Sequence, residues 1–324
     1  MTEVRDHGGN LDAAIARLGG APADWLDLST GINPEPYPVP PISGDAWAVL
    51  PRKSDLARLR DAAASAYATS LRVIPMNGAQ GAIQLVPRLA KPGRATVLAP
   101  TYNEHAAALR ACGWQVEEVA SVNALRGSDL AVVVNPNNPD GRRTAPEALL
   151  DLASDVGLLI VDESFVDPEP HLSIGSIDCP VNCVVLRSFG KFYGLAGLRL
   201  GFALASGAVA DRLSDLAGPW PVSGPAIEIA CAALADTGWQ ARTVERLIQD
   251  AARLDSFASR ASWTLVGGTP LFRTYEVPDA HKVQEALAMH SVWSRIFPYS
   301  DRWLRLGLPP QTRWQQLDEA IGAA

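Results

Sequence analysis

The stretch SFGKFYGLAGLRLG, residues 188–201, places Lys191 between an apolar run and a series of glycines. The run before it, CVVL at residues 183–186, is rich in β-branched side chains, which is typical of a buried strand. A lysine among glycines and aromatic residues just beyond a strand is partly desolvated, and desolvation lowers the pKa of the amine and makes it nucleophilic. Ser188 and Arg199 add a hydroxyl and a guanidinium suited to a phosphate. Because a lysine in a glycine-rich loop is usually just solvated, this stretch alone does not assign a function.

Short β-rich runs alternate with helix-like segments from about residue 71 onward. The strand-like runs are residues 73–76, 95–99, 130–134, 158–161, 183–186 and 200–203, and the helix-like segments are residues 80–90, 104–112 and 146–155. This alternation predicts an α/β fold with a mostly parallel sheet and helices on both of its faces. Ligands of such sheets bind beyond the carboxyl ends of the strands, so the informative residues are expected in the loops that follow strands.

The pattern changes after residue 225 to long amphipathic helices followed by β-rich pieces, which predicts a smaller α+β domain. A proline-dense connector lies at residues 34–41. We therefore expect an N-terminal arm at residues 1–40 that contributes to the small domain and the active site. The large domain is expected at residues 41–220 and the small domain at residues 221–324.

Composition and charge exclude several classes of protein. A chain of 324 residues, 48% of them hydrophobic, can bury a large core and suits one large and one smaller domain. The net charge of −7 is spread without a run of Lys or Arg, which argues against nucleic-acid and membrane-surface partners and favours small molecules. Cys179 and Cys183 have no second pair that would complete a zinc site, so we expect no metal and reduced cysteines. The N-terminus lacks the apolar core of a signal peptide, and a cytoplasmic location is expected.

Two polar loops follow predicted strands. NGAQG, residues 77–81, joins a strand to a helix, and free N–H groups at a helix start form a phosphate seat, although glycine turns at such places are common. NPNNPDG, residues 135–141, has two X-Pro steps that hold the chain extended and direct the Asn138 amide at a ligand oxygen. A simple turn is the alternative for this second loop.

Asp162 begins the loop DESF, residues 162–165, directly after the strand LLIV. A carboxylate at the mouth of a buried sheet needs a partner, and a protonated pyridine nitrogen is a suitable one. The alternatives are a carboxylate that caps the loop or pairs with an arginine.

The four loops resemble, in their order and spacing, those of the class I/II aminotransferase family of fold-type I pyridoxal-phosphate (PLP) enzymes, and the resemblance covers nearly the whole chain. It implies that PLP is bound to Lys191 as a Schiff base. It implies Asp162 at the pyridine nitrogen and Asn138 at the phenolic oxygen. The residues implied at the cofactor phosphate are Gly78, Ala79, Gln80, Ser188 and Arg199.

The chain departs from this family at three positions. In the segment 100–105, His105 stands at the position expected to stack on the cofactor ring, where many relatives carry tyrosine. Phe165 replaces a tyrosine that usually donates to the phenolic oxygen, and Leu50, before Pro51, replaces a tyrosine of the partner subunit that often reaches the phosphate. The resemblance also implies a homodimer whose partner contributes to each site.

Two further segments resemble substrate-binding parts of relatives. Arg305 in WLRLG, residues 303–307, resembles the arginine that binds the substrate carboxylate. Residues 7–10, HGGN, followed by DLSTGINP, residues 27–34, resemble the arm of the threonine-phosphate decarboxylases of cobalamin biosynthesis, although a flexible terminus is the alternative. The substrate-binding residues implied are His7, Gly8, Gly9, Asn10, Ser29, Asn33 and Arg305. Which residue meets the substrate phosphate stays open, and Arg295 and Arg302 are further candidates.

The main hypothesis is decarboxylation of L-threonine O-3-phosphate to (R)-1-aminopropan-2-yl phosphate, with Lys191 as the first candidate to handle the proton that replaces carbon dioxide. The alternative is an aminotransferase of the histidinol-phosphate type, which shares every cofactor residue above but needs a second substrate. A non-catalytic binding or regulatory module is disfavoured, because the chain has no spare length or basic patch for a DNA-binding segment.

Overall fold

The computed structural model describes residues 7–324. The helices are α1 (Leu11–Leu18), α2 (Gly44–Ala48), α3 (Lys53–Ala66), α4 (Gly78–Leu85), α5 (Glu104–Ala111), α6 (Pro146–Ala153), α7 (Phe189–Phe192), α8 (Gly207–Ala217), α9 (Gly224–Ala235), α10 (Thr237–Arg260), α11 (Ala280–Met289) and α12 (Trp314–Gly322). The strands are β1 (Leu26–Asp27), β2 (Arg72–Asn77), β3 (Arg94–Leu98), β4 (Gln115–Val119), β5 (Leu130–Val134), β6 (Leu159–Asp162), β7 (Cys183–Ser188), β8 (Leu200–Ala205), β9 (Thr264–Thr269), β10 (Phe272–Glu276), β11 (Val292–Trp293), β12 (Arg295–Phe297) and β13 (Ser300–Gly307).

The described residues form two compact units. The larger unit comprises residues 36–138 and 142–240, and the smaller unit comprises residues 7–35, 139–141 and 241–324. The domain limits at residues 40 and 220 stay a prediction of the sequence.

A seven-stranded sheet in the order β2-β8-β7-β6-β5-β3-β4 forms the centre of the larger unit. Strand β8 runs antiparallel to both of its neighbours, while the pairs from β7 through β4 are parallel. Every residue of β5 and β6 is buried. Helices cover both faces of a parallel sheet, so its central strands are apolar on both faces and have continuous apolar sequences. The predicted α/β fold is confirmed.

The elements that carry the site begin where strands of this sheet end. Strand β2 leads directly into α4, β7 leads directly into α7, and β6 ends on Asp162. Helix α4 ends at Leu85, earlier than the predicted segment 80–90, because Pro87 cannot continue an α-helix and a short 3-10 turn follows.

The smaller unit contains a four-stranded antiparallel sheet in the order β12-β13-β10-β9. A two-stranded parallel ladder pairs β1, which lies within the expected N-terminal arm, with β11, so this part of the arm belongs to the structure of the smaller unit. Helices α11 and α12 pack on these strands through buried Leu287 and Leu317.

Within residues 7–324, no helix combines the length and apolarity needed to span a membrane. The four cysteines are free thiols. The described residues contain no group of three or more His, Cys, Asp or Glu side chains arranged to hold a metal ion.

Candidate active site

A cavity opens in the larger unit at the carboxyl ends of its central strands. Parallel strands direct their following loops to one edge of the sheet, so loops distant in sequence meet there. All the predicted cofactor residues except His105 line this cavity. Its walls are formed by Gly78, Ala79, Gln80, Ile83, Tyr102, Val134, Asn138, Asp162, Ser164, Phe165, Ser188, Gly190, Lys191, Ala196, Arg199 and Leu200.

Lys191 lies on α7, the single helical turn that follows β7. Its side chain is half-buried, and the Nζ atom lies 5.5 Å from the centroid of the Phe165 ring. Gly190 permits this arrangement, because a Cβ at that position would come within 2.8 Å of the Ala196 Cα atom. The amine is therefore presented to the cavity beside an apolar ring.

Asp162 is 2% exposed and ends β6. Its Oδ1 accepts hydrogen bonds from the Ser164 backbone N–H at 3.0 Å and the Ser164 hydroxyl at 2.5 Å. Its Oδ2 lies 2.8 Å from Nε2 of His105. Burial by itself raises the pKa of Asp162, but the hydrogen bonds from His105 and Ser164 outweigh burial and hold the pKa below its ordinary value. The carboxylate therefore stays negative and can stabilise a proton on a neighbouring ring nitrogen.

His105 does not occupy the predicted stacking position. It is 3% exposed, lies on α5 and is directed at Asp162, so it lies behind the cavity wall. The aromatic side chain from this segment that lines the cavity is Tyr102, three residues earlier. Its hydroxyl lies 3.3 Å from Oε1 of Gln80, whose Nε2 donates to buried Glu104 at 2.8 Å. The sequence carried a signal for Tyr102, since it is the tyrosine of the quoted segment.

The N-terminus of α4 and Arg199 form a positively charged end of the cavity. Gly78 has a φ of +68°, and a Cβ there would lie 2.8 Å from Nη2 of Arg199. Arg199 itself adopts the left-handed region, with a φ of 55°, which is uncommon for a residue with a side chain. Backbone N–H groups of a helix start beside a guanidinium are a favourable seat for a phosphate.

The asparagines of the loop 135–141 have different roles. Asn135 exchanges hydrogen bonds with the backbone of Thr144, its Nδ2 donating at 3.0 Å and its Oδ1 accepting at 2.9 Å. Asn137 donates to the Pro100 carbonyl at 2.9 Å and therefore also serves the loop. Only Asn138 of the three lines the cavity. Asn135 and Asn137 therefore stabilise the loop, as the alternative of a simple turn predicts. Asn138 lies in the cavity, where the sequence predicted it.

A buried charged cluster lies next to the site, and sequence reasoning missed it. Arg187 is 4% exposed, donates to Asp167 at 2.6 Å, and lies 3.5 Å from the Glu163 carboxylate. Its guanidinium also lies over the Tyr67 ring, 4.0 Å from the centroid. Since Glu163 follows Asp162 and Arg187 precedes Ser188 in sequence, this cluster joins the ends of β6 and β7. The sequence carried two signals for this cluster: the acidic pair Asp162 and Glu163 at the end of one strand, and Arg187 at the end of the next strand.

The smaller unit contains the predicted substrate residues. Arg305 on β13 is 6% exposed, and its Nη2 donates to the Ser29 carbonyl at 2.6 Å. Ser29 is 1% exposed; its hydroxyl donates to Asp27 at 2.6 Å and accepts from the Gly9 N–H at 2.7 Å. The Ser29 hydroxyl therefore joins two parts of the arm, and the Ser29 carbonyl ties the arm to β13, roles that the sequence did not predict.

Arg295 is the cross-strand partner of Arg305 in the antiparallel ladder of β12 and β13. Burial and, to a smaller extent, the charge of Arg295 lower the pKa of Arg305 to about 10. Like charges directly opposite each other destabilise a sheet. An arrangement of two such guanidiniums is favourable when an anion lies between or beside them.

The remaining predicted substrate residues differ in exposure. His7, Gly8, Gly9 and Asn10 are exposed, whereas Asn33 is only 2% exposed. Arg302, the other candidate arginine, forms an exposed ion pair with Glu276 at 2.9 Å. Because Arg302 is paired with Glu276 and Arg295 lies opposite Arg305, Arg295 is the better candidate for a second cation beside Arg305.

The cavity of the larger unit fits pyridoxal phosphate. Asp162 is a carboxylate kept charged at low solvent exposure, which suits a protonated pyridine nitrogen. The α4 N-terminus with Arg199 suits the phosphate, Lys191 supplies an amine, and Tyr102 supplies a flat side chain. Asn138 lines the same cavity, and its amide suits an oxygen of the cofactor.

Comparisons with known proteins agree with this fit. Residues 45–323 match the family Aminotransferase class I and II. A threonine-phosphate decarboxylase from Sinorhizobium sp is 45% identical over an alignment of 312 positions that covers 94% of this chain and 93% of that protein. A threonine-phosphate decarboxylase from Pseudomonas aeruginosa is 41% identical over 324 residues, covering 98% of this chain and 97% of that protein.

Solved structures show the same fold. A histidinol-phosphate aminotransferase from Sinorhizobium meliloti, in complex with pyridoxal-5'-phosphate, superposes with a TM-score of 0.83 at 18% identity, covering 96% of this chain and 94% of that one. An L-threonine-O-3-phosphate decarboxylase from Porphyromonas gingivalis gives a TM-score of 0.69 at 19% identity, covering 91% of this chain and 98% of that one. The sequence match and the cavity lead to one conclusion: the chain belongs to the class I and II aminotransferase family.

Proposed function

We propose that this chain is a PLP-dependent carbon-carbon lyase that decarboxylates L-threonine O-3-phosphate to (R)-1-aminopropan-2-yl phosphate in cobalamin biosynthesis. The observation that carries the proposal is the identity of 45% and 41%, over nearly the whole chain, to two threonine-phosphate decarboxylases. Histidinol-phosphate aminotransferases, the alternative, match at about 30% identity, as in the relative from Mycobacterium bovis.

The residues of the larger unit hold the cofactor and move a proton. When bound, PLP supplies an electron sink conjugated with the substrate α-carbon. Asp162 keeps the ring nitrogen protonated, Arg199 and the α4 N-terminus bind the phosphate, and Asn138 donates to the phenolic oxygen. The Lys191 amine would hold the cofactor and, in the substrate complex, would deliver to the α-carbon the proton that replaces carbon dioxide.

The arginines of the smaller unit bind the substrate's anionic groups. Arg305 binds the carboxylate, and the cross-strand position of Arg295 supports it as a second cation for the phosphate. The substrate carries both a carboxylate and a phosphate, so its negative charge offsets the repulsion between the two guanidiniums.

The enzyme acts as a homodimer. The support in this chain is an exposed apolar stretch at and after α2, where Trp47 is 72% exposed, Leu50 is 62% exposed and Val49 is 48% exposed. Large apolar side chains clustered at a surface are typical of an interface. Light scattering of the purified protein tests this part, and a monomer that retains full activity would contradict it.

The decisive experiment identifies the product. Wild-type protein loaded with PLP is incubated in deuterated water with L-threonine O-3-phosphate and no 2-oxo acid, and the product is examined by ³¹P and ¹H NMR. We expect 1-aminopropan-2-yl phosphate with its amino group retained and one deuterium at the carbon that lost carbon dioxide. Formation of glutamate from 2-oxoglutarate with histidinol phosphate as donor, and no decarboxylated product, would replace this proposal with the aminotransferase.

A further inference from the structure

Ser164 is a buried residue in the loop after β6, and it lines the cavity of the larger unit together with Asp162. Its hydroxyl donates to Oδ1 of Asp162 at 2.5 Å, and its backbone N–H donates to the same oxygen at 3.0 Å. A serine hydroxyl carries one proton, so this contact commits that proton to the carboxylate. Ser164 therefore acts on Asp162 through both its backbone and its side chain.

The described part of the chain directs three donors at the Asp162 carboxylate. Two are those of Ser164 on Oδ1, and the third is Nε2 of His105, which lies 2.8 Å from Oδ2. A carboxylate has about four lone-pair sites, shared equally by its two oxygens. Oδ1 is therefore saturated, and the acceptor site that remains for a ligand in the cavity is on Oδ2.

A proton shared between a ring nitrogen and a buried carboxylate can rest on either group. Burial penalises charge, so it favours a neutral carboxyl group beside a neutral ring over a carboxylate beside a protonated ring. Hydrogen-bond donors to the carboxylate act in the opposite direction, because they stabilise its charged form. Burial raises the pKa of Asp162, but the hydrogen bonds from His105 and Ser164 hold this pKa below its ordinary value.

We propose that Ser164 is a positioning residue whose hydroxyl keeps the shared proton on the ring nitrogen of PLP and off Asp162. The inference rests on the proposed function, in which PLP occupies this cavity with its ring nitrogen at Asp162. The other side-chain donor, His105, depends on the tautomer of its imidazole, whereas a hydroxyl needs no particular protonation state. A protonated ring withdraws electrons more strongly than a neutral one, so Ser164 should raise the rate of decarboxylation through Asp162.

The test is Ser164→Ala, which removes the hydroxyl and keeps the backbone donor. The protein is loaded with PLP labelled with ¹⁵N at the ring nitrogen, and the ¹⁵N chemical shift, which differs between protonated and neutral pyridine rings, is measured by solid-state NMR without substrate. We expect wild type to give the shift of a protonated ring, and Ser164→Ala to give a shift displaced toward that of a neutral ring. The kcat for L-threonine O-3-phosphate should fall by about threefold to tenfold, with KM within about twofold of wild type.

Matched variants separate this effect from general damage. Ser173→Ala removes a hydroxyl donor, also at 2.5 Å, from the neighbouring buried carboxylate of Glu163. It should lower the stability of the protein and leave the ¹⁵N shift as in wild type. Ser164→Thr keeps a hydroxyl and should restore the wild-type shift. Ser164→Cys offers only a weak donor, so its shift should be displaced in the same direction as in Ser164→Ala, and this variant keeps the test valid if Ser164→Ala does not fold.

Three results overturn the inference. The first is a wild-type ¹⁵N shift typical of a neutral ring, and the second is a shift in Ser164→Ala equal to that of wild type. The third is an equal displacement in Ser164→Ala and Ser173→Ala, because the loss of any buried hydroxyl would then account for it. The shift is measured on bound PLP without turnover, so a wild-type protein that shows the expected shifts but releases no carbon dioxide from L-threonine O-3-phosphate would instead contradict the proposed function.

Discussion

Nε2 of His105 lies 2.8 Å from Oδ2 of Asp162, and the side chain of each is only 3% exposed. The hydrogen bond from His105 is the largest of the effects that hold the pKa of Asp162 down against burial. His105 therefore acts on the Asp162 carboxylate, which we propose as the partner of the ring nitrogen, while Tyr102 is the aromatic residue of its segment that lines the cavity.

His105→Leu should weaken cofactor binding and destabilise the protein. The change leaves a buried carboxylate with one partner fewer, which costs about 1–3 kcal/mol in the free energy of unfolding. The pKa of Asp162 rises as well, so the ring nitrogen loses part of its counter-charge. Urea unfolding of the apoprotein and titration with PLP measure the two effects. The control is His171→Leu at an exposed position; equal behaviour of the two variants would contradict the role of His105.

Gly78→Ala should lower the affinity for PLP. The left-handed φ of +68° costs a residue with a Cβ about 1–2 kcal/mol, and the new methyl group would displace Arg199 from its position 2.8 Å away. We expect about tenfold weaker binding, measured by cofactor titration. Gly81→Ala is the matched control in the same helix, because its Cβ would meet neighbours only at 3.6 and 3.9 Å. That variant should bind PLP normally and gain up to about 1 kcal/mol in stability.

Phe165→Tyr should lower the pH at which the absorbance of the bound cofactor changes. Phe165 lines the cavity with its ring 5.5 Å from Nζ of Lys191, so an added hydroxyl can donate to the phenolic oxygen beside Asn138. That hydrogen bond stabilises the negative phenolic oxygen, so the nitrogen that joins Lys191 to the cofactor loses its proton more easily. The midpoint of the absorbance change should fall by on the order of one pH unit. Phe257→Tyr on α10 adds the same hydroxyl in the smaller unit and should leave the midpoint unchanged. An unchanged or raised midpoint in Phe165→Tyr would contradict the predicted contact.

Glu163 should make the stability of the apoprotein depend on pH. Burial raises its pKa from 4.5 to about 7, although the Arg187 charge and hydrogen bonds from Ser173 and Ile174 oppose the rise. The folded state holds the Glu163 proton more tightly than the unfolded state does. The resulting contribution to the free energy of unfolding is therefore complete below about pH 4.5 and is lost as the pH rises through about 7. Over that pH range the free energy of unfolding of wild type should fall by on the order of 3 kcal/mol relative to that of Glu163→Gln.

Urea unfolding at several pH values measures this difference. Glu147→Gln, at an exposed position, is the control and should follow wild type at every pH. A constant difference between wild type and Glu163→Gln across the range would show that Glu163 stays ionised in the folded protein.

The parts of the fold that the sequence predicted are those whose pattern is set by burial. Strands β5 and β6 are continuous apolar runs and were located from the sequence, whereas β4 was missed. Strand β4 reads QVEEV and lies at the edge of the sheet, where its exposed Gln115, Glu117 and Glu118 face solvent. Charged residues on an edge strand protect it from pairing with other chains, and they also remove the apolar signature of a strand.

The site was predictable as a set of loops, but the partners of individual side chains were not. The order of the loops gave Lys191, Asp162 and Asn138 without indicating which asparagines serve the turn. The pairing of Arg295 with Arg305 depends on the register of two strands, and the bond from Arg246 to Asn33 joins residues 213 positions apart. Such contacts depend on tertiary packing, which a local pattern does not encode.

The most direct test of the central claim is carbon dioxide release from L-threonine O-3-phosphate by the PLP-loaded protein, without any 2-oxo acid. We expect steady release in wild type, loss of release in Lys191→Ala, and a strongly raised KM in Arg305→Met. Absence of release by a wild-type protein that carries PLP on Lys191 would show that the chain is not a decarboxylase of this substrate.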